Sequence, residues 1–129
     1  MTIYLDSSVA LAELLLENRR SSPDLWHQDL TSSRLLEYEI WNRLHSRGYG
    51  RSHAVEATAL LQKITFIDLR PEVLRRALSP FPVSVRTLDA LHLATAEYLS
   101  GQGESIELAT FDARMIAAAR SLGIAIYEP

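Results

Sequence analysis

The chain has 129 residues and a formal net charge of −3, and 47% of its residues are hydrophobic while 22% are charged. A chain of this length can bury a full core without disulfide staples, so we expect one domain over residues 1–129. The sequence holds no cysteine, which excludes disulfides and thiolate metal sites. The acidic balance argues against a protein that holds nucleic acid by bulk positive charge.

No apolar run in the sequence approaches the roughly 18 residues that a membrane helix needs. Met1 is followed at once by a strand pattern, with neither a basic leader nor a small-residue cleavage site. We therefore expect a cytoplasmic protein with no membrane partner. Of the thirteen basic residues only Lys63 is not Arg. The guanidinium fork suits phosphate, although a genome rich in G and C would favour Arg codons by itself.

Strands and helices alternate along the first part of the chain. A strand is predicted over Thr2–Leu5, and Ser7 or Ser8 is a good N-cap for the helix that follows. After a break, the pattern predicts a short helix around Asp24–Gln28 and a weak strand over Leu30–Ser33.

A longer helix comes next, because Leu36, Ile40 and Leu44 form an apolar stripe at helical spacing. It ends at Gly48, a typical C-cap residue, and Ser52 can cap another helix. The remaining predicted elements are a strand over Ile64–Leu69, a helix with Pro71 in its first turn, a helix over Leu88–Leu99 capped by Thr87, a strand over Ile106–Thr110, a helix over Ala113–Leu122 ended by Gly123, and a strand over Ile124–Tyr127. We predict a three-layer α/β/α fold, in which a central, mostly parallel sheet of four or five strands carries helices on both faces.

Acidic residues stand where predicted strands give way to helices. Asp6 and Asp112 each follow an apolar strand, which puts them at the carboxyl edge of a parallel sheet, where open α/β folds keep their sites. Asp89 lies at the start of a predicted helix. Any one of them alone could simply cap a helix. Gathered at one edge, however, carboxylates repel one another and need a cation, and Mg²⁺ or Mn²⁺ suits ligands that are all oxygen.

A fourth candidate acid lies on the longer helix, where two glutamates compete for the position. Glu39 and Glu37 lie on opposite borders of the apolar stripe, roughly 100° and 60° from Ile40. Periodicity does not choose between them. A solvated ion pair with Arg43 is an alternative role for Glu39.

Hydroxyl side chains accompany the acids. Ser7, Ser8 and Thr110 could orient a carboxylate or hold a metal-bound water, although helix capping explains Ser7 or Ser8 more simply. His92 lies one turn after Asp89 and could touch substrate, but a packed structural histidine is the simpler interpretation.

Four stretches of the sequence together resemble the PIN domains, and among them the VapC toxins of bacterial type II toxin–antitoxin systems. They span nearly the whole chain and are IYLDSSVAL, SSRLLEYEIWNRL, RTLDALHLATA and ATFDARMIAAARSLGIAIYEP. The third is the most specific. In the second, the family's step of six residues from a serine to a glutamate leads from Ser33 to Glu39. The resemblance gives the four acidic roles, as catalytic and metal-binding residues, to Asp6, Glu39, Asp89 and Asp112.

The same resemblance implies a Mg²⁺- or Mn²⁺-dependent endoribonuclease that a cognate VapB-type antitoxin silences, and it gives Thr110 the role of the hydroxyl two residues before the last acid. Ser7, a hydroxyl beside the acids, is the other candidate for orienting the acids or the substrate. A homodimer and a hetero-oligomer with the antitoxin are expected. Arg residues at the rim of the site would bind RNA phosphates, although the sequence does not say which ones. Candidate anchors for the antitoxin, rather than platforms for RNA bases, are Trp26, Tyr38 and Trp41.

Two other functions remain open at this point. A phosphoaspartyl phosphatase is another Mg²⁺-dependent phosphohydrolase whose first strand ends in Asp, but it needs a second Asp two residues later, and that position holds Ser8. A catalytically silent PIN-like domain that only binds a partner normally lacks the acids, and all four are present here. A metal titration separates these two alternatives.

Overall fold

The computed structural model describes all 129 residues and places five strands in one sheet. The strands are β1 (Thr2–Leu5), β2 (Asp29–Ser33), β3 (Ile64–Ile67), β4 (Ile106–Ala109) and β5 (Ala125–Ile126). Every neighbouring pair runs parallel, in the order β3-β2-β1-β4-β5. Each strand overlaps a predicted one, and the parallel sheet confirms the predicted fold class.

Six α-helices surround the sheet. They are α1 (Ser7–Leu14), α2 (Leu35–Ser46), α3 (Ala54–Leu61), α4 (Pro71–Ala77), α5 (Thr87–Gly101) and α6 (Ala113–Ser121), and a short 3₁₀ helix (Pro23–His27) precedes β2. Successive residues of β1 point to opposite faces. Ile3 and Leu5 pack with residues of α1, α2 and α3, whereas Tyr4 packs with residues of α5 and α6. These two cores, one on each side of the sheet, confirm the three layers.

None of the helices is both long enough and apolar enough to cross a membrane.

Two predicted helix ends are confirmed by their backbone conformation. Gly48 and Gly123 follow α2 and α6 with φ of +76° and +75°. A residue with a Cβ adopts this left-handed conformation only at a steric cost, so glycine ends a helix there most easily.

The hydroxyl residues predicted to begin helices do not act as N-caps. The N-cap positions of α1 and α5 are held by Asp6 and Arg86, and neither makes a side-chain capping hydrogen bond. Ser7 and Thr87 are instead the first residues inside those helices. The two serines at the start of α1 bond to carboxylates, as described below.

The sheet reverses its direction of growth between β1 and β4. From β1 the chain adds β2 and then β3 on one side, and later returns to place β4 on the other side. Leu5 and Ala109 are register partners near the carboxyl ends of these two strands, so the residues that follow them meet. Ligands of open α/β sheets bind at this kind of switch point. The first residues beyond the strands are Asp6 and Thr110.

Candidate active site

A cleft of about 650 Å³ opens at the switch point between β1 and β4. Five carboxylates and three guanidinium groups line it, and only three of its fourteen lining residues are hydrophobic. All four acids predicted from the sequence lie in it, namely Asp6, Glu39, Asp89 and Asp112. The fold thus brings together acids that are spread along most of the chain.

The carboxylate of Asp6 is buried and is held by two hydroxyl groups. Its Oδ2 accepts hydrogen bonds from Ser8 Oγ and Thr110 Oγ1, each at 2.7 Å. These hydroxyls in turn accept the backbone N–H groups of Phe111 and Asp112, so each gives its single proton to Asp6. The other oxygen of Asp6, Oδ1, makes no hydrogen bond within the protein. One oxygen is therefore fixed, and the other is free to bind a ligand.

Glu39 enters the cleft from α2, and both of its carboxylate oxygens have partners. Ser7 Oγ donates to Oε2 at 3.2 Å, and the His92 ring contacts Oε1 through Nε2. The competing glutamate, Glu37, does not line the cleft. The structure therefore places Glu39 at the position that the family resemblance assigned to it. Its role as a metal ligand stays a prediction.

His92 is fully buried and connects Glu39 to the core. The backbone N–H of Ser33 donates to Tyr4 Oη at 3.1 Å, and Tyr4 Oη lies 2.8 Å from His92 Nδ1. This chain of hydrogen bonds runs from β2 through β1 to α5 and ends at the Glu39 carboxylate. The packed position predicted for His92 is confirmed, but the ring also fixes an acid of the cleft, which the sequence did not indicate.

The surroundings of this chain of bonds shift two pKa values. Burial opposes a charge on His92, but the hydrogen bond and the negative charge of Glu39 outweigh it and raise the pKa of the imidazole. Burial also raises the pKa of Tyr4 far above that of a free phenol, so its hydroxyl keeps its proton. The phenol therefore remains a neutral hydrogen-bonding group beside the histidine.

Arg86 bridges the other two acids of the cleft. Its Nε lies 3.4 Å from Asp89 Oδ2, and its Nη2 lies 3.1 Å from Asp112 Oδ2. Asp112 also caps α6, because its Oδ1 accepts the backbone N–H groups of Arg114 at 2.8 Å and Met115 at 3.4 Å. The capping role and the position in the cleft therefore coexist in Asp112, with one oxygen serving each.

The surroundings of Asp89 in the cleft raise the pKa of its carboxyl group. Its partial burial and the nearby carboxylates of Asp6 and Asp112 raise its pKa, and the Arg86 guanidinium offsets this only in part. Negative charge in the cleft is therefore undercompensated, as we expected for acids gathered at one edge.

The ligand atoms that the cleft offers are of the type that a hard divalent cation binds, but their positions do not surround a single ion. As they stand, no three Asp, Glu or His side chains come close enough to hold a single ion. The site carboxylates nevertheless offer only oxygen donors, the type that Mg²⁺ and Mn²⁺ prefer. Oδ1 of Asp6 is free of protein hydrogen bonds, and movement of Arg86 would release oxygens of Asp89 and Asp112. The donor chemistry therefore fits a cation, which the acids would hold after their side chains turn toward it and Arg86 moves aside.

Several residues of the cleft were not identified from the sequence. Glu17, Arg19 and Arg43 are exposed along its edge, and the guanidinium carbon of Arg19 lies 4.7 Å from the ring centre of Phe111. Arg residues were expected at the rim, but Arg19, Arg43 and Arg86 come from three separate segments of the chain. Only the fold decides that these three, among twelve, share a cleft.

Comparison with known proteins agrees with this geometry. The family model of the PIN domain matches residues 3–121. Ribonuclease VapC46 of Mycobacterium tuberculosis (strain ATCC 25618 / H37Rv) is 35% identical, over 98% of this chain and 97% of its own length. Ribonuclease VapC47 of Mycobacterium tuberculosis (strain CDC 1551 / Oshkosh) is 28% identical, over 98% of this chain and 96% of its own length. Because the family model covers nearly the whole chain and VapC46 matches along its full length, the chain belongs to the PIN domain family, as its motifs predicted.

Proposed function

We propose that the protein is a Mg²⁺- or Mn²⁺-dependent endoribonuclease, the toxin of a VapBC type II toxin–antitoxin system, built as a single domain over residues 1–129. The observation that supports this most is the cleft at the switch point, where four acids from distant parts of the chain meet. The relatives that match nearly the whole chain carry ribonuclease names, which agrees with this choice.

Each acid has a role in this proposal. Asp6, Glu39 and Asp89 hold the cation, and Asp112 binds a second, weaker one directly or through water. The bound cation lowers the pKa of a water molecule and offsets charge on the scissile phosphate. Asp6 is suited to its role because two hydroxyls fix one oxygen and leave the other open.

The hydroxyl groups position the acids. Thr110 donates to Asp6, and Ser7 donates to Glu39, so each holds one carboxylate at a defined angle to the cleft. Such partners fix the direction in which a ligand presents its free lone pairs.

The substrate in this proposal is single-stranded RNA. Arg19 and Arg43 are exposed at the edge of the cleft, where a guanidinium can bind a backbone phosphate. Stacking of Arg19 over Phe111 limits where its guanidinium can reach. A single strand suits an open cleft because its bases are accessible for recognition.

A VapB-type antitoxin is the proposed protein partner, in a hetero-oligomer that also contains a homodimer of this chain. The resemblance to VapC toxins supports it. Tyr38 is 60% exposed and adjoins Glu39 on α2, so its ring is available to an antitoxin tail that reaches the cleft. Trp26 and Trp41 are partly buried against the core, and they offer less surface.

Cleavage of single-stranded RNA with and without a cation tests the catalytic proposal. We expect cleavage with Mg²⁺ or Mn²⁺ and none in excess EDTA. Asp6→Asn should abolish cleavage, whereas Asp68→Asn, which changes an exposed acid outside the cleft, should not. Undiminished cleavage in EDTA would contradict the proposal. Cation binding without any cleavage of RNA would favour another Mg²⁺-dependent phosphohydrolase, and the absence of cation binding would favour a PIN domain that only binds a partner.

Expression in bacteria tests the toxin role. The wild-type chain should arrest growth, and the Asp6→Asn variant should not, because arrest depends on cleavage. If both leave growth unchanged, the toxin role loses its main support.

A further inference from the structure

Arg86 lies between two of the four acids of the cleft. Its guanidinium contacts Asp89 Oδ2 and Asp112 Oδ2, while 72% of its side chain remains exposed. The other two arginines of the cleft, Arg19 and Arg43, form no ion pair with any of its acids. Arg86 is therefore the one arginine of the cleft that forms ion pairs with its acids and partly neutralises them.

The contacts of Arg86 are of the kind that a divalent cation displaces. Exposed ion pairs with one long contact contribute little free energy, so the guanidinium is weakly held. A doubly charged ion attracts the same carboxylates more strongly and repels the guanidinium. A cation that binds the Oδ2 atoms of Asp89 and Asp112 therefore competes with the guanidinium, which contacts the same two atoms.

We propose that Arg86 alternates between two partners: it bridges Asp89 and Asp112 while no cation is bound, and it turns to a phosphate of the RNA when a cation takes over these acids. This inference rests on the proposed function and deepens it by naming the arginine that couples cation binding to substrate binding. The side chain is long and exposed, and its planar fork matches phosphate oxygens in pairs. Arg86 is the N-cap residue of α5, three residues before Asp89, so its released guanidinium can reach a phosphate bound beside that acid.

Arg86→Gln should therefore have two effects of opposite sign. In calorimetric titration of metal-free protein, Mn²⁺ should bind about three- to fivefold more tightly, because a competing ion pair is lost. At saturating Mn²⁺, kcat/KM for single-stranded RNA should fall at least about tenfold, because a charge-assisted contact to phosphate is lost. Arg75→Gln is the matched control, since Arg75 is 69% exposed, pairs with Glu72 three residues away and lies outside the cleft. It should change neither quantity.

The opposite signs separate this role from a merely structural one, because displaced acids would weaken Mn²⁺ binding and cleavage together. Circular dichroism checks that each variant folds, and Arg86→Met, which keeps a long side chain without charge, should repeat both changes. Unchanged or weaker Mn²⁺ binding would overturn the bridging role, and unchanged cleavage would overturn the phosphate role. If the wild type binds Mn²⁺ but cleaves no RNA, the proposed function and the phosphate role fail, while the titration still decides the bridging role.

Discussion

At the level of single residues, both oxygens of the Glu39 carboxylate have partners, Ser7 on one side and His92 on the other. Glu39→Gln keeps the shape and removes the charge that a cation needs. We expect it to weaken Mg²⁺ or Mn²⁺ binding in calorimetry and to lower RNA cleavage at least about tenfold, or about 1.4 kcal/mol of transition-state stabilisation. Glu37→Gln is the control, since this neighbouring glutamate lies outside the cleft. It should change neither quantity, and the reverse result would make Glu37 the ligand.

His92 offers a second test at this scale, because it positions Glu39 without lining the cleft itself. His92→Phe removes the hydrogen bonds of the ring and keeps an aromatic side chain. We expect the free energy of unfolding to fall by about 1–3 kcal/mol and Mn²⁺ affinity to fall because Glu39 is no longer held. Tyr4→Phe leaves the contact between His92 and Glu39 in place, so it should reduce stability but reduce affinity less. Denaturant unfolding and calorimetry measure both, and equal affinity losses would contradict the positioning role.

At the level of helices and strands, the helix ends allow a test of backbone conformation alone. Gly123 follows α6 with φ of +75°, whereas Gly101 is the last residue of α5 and has no positive φ, and neither has an atom within 4 Å of an added Cβ. Gly123→Ala should cost about 1 kcal/mol of unfolding free energy, because alanine is strained in that conformation. Gly101→Ala should be neutral or stabilising by up to about 1 kcal/mol. Urea unfolding of both variants checks this, and equal losses would argue against a conformational cause.

The starts of helices were predicted less well than their ends. A serine beside a helix start normally bonds to the nearest free backbone N–H, unless another group competes for its hydroxyl. At Ser8 the competitor is the Asp6 carboxylate, while the backbone N–H of Phe111 donates to the same hydroxyl. Because Phe111 is distant in sequence, local pattern could not reveal this arrangement. The left-handed conformation of Gly48 and Gly123 depends only on the absence of a side chain, and no distant group competes for it. The helix ends at these glycines were therefore predicted correctly.

At the level of the whole molecule, the gathered acids make stability depend on pH. Burial and the carboxylates of Asp6 and Asp112 raise the folded-state pKa of Asp89. Such a group destabilises the fold above its raised pKa, and the penalty disappears below the unfolded value of about 4. Asp89→Asn should therefore raise the Tm of the metal-free protein at neutral pH and lose this advantage as the pH falls to about 4. Thermal unfolding in EDTA across this range measures the difference, and an advantage independent of pH would contradict it.

The sequence by itself determined the order of strands and helices and the parallel, three-layer fold. Apolar spacing, glycine and proline determine secondary structure within a few residues. Helices and strands can therefore be predicted from short segments without knowledge of the tertiary contacts. The motifs also indicated the family and the four acids that meet in the cleft.

Only the tertiary structure decided how those acids are held and which residues surround them. Helix periodicity left Glu39 and Glu37 equivalent, and the fold separated them because only Glu39 faces Ser7 and His92. The bridge from Arg86 to Asp112 likewise joins two segments that meet only across the sheet edge. A pattern in sequence fixes the face on which a side chain lies, whereas the group opposite that face is fixed by packing between distant elements.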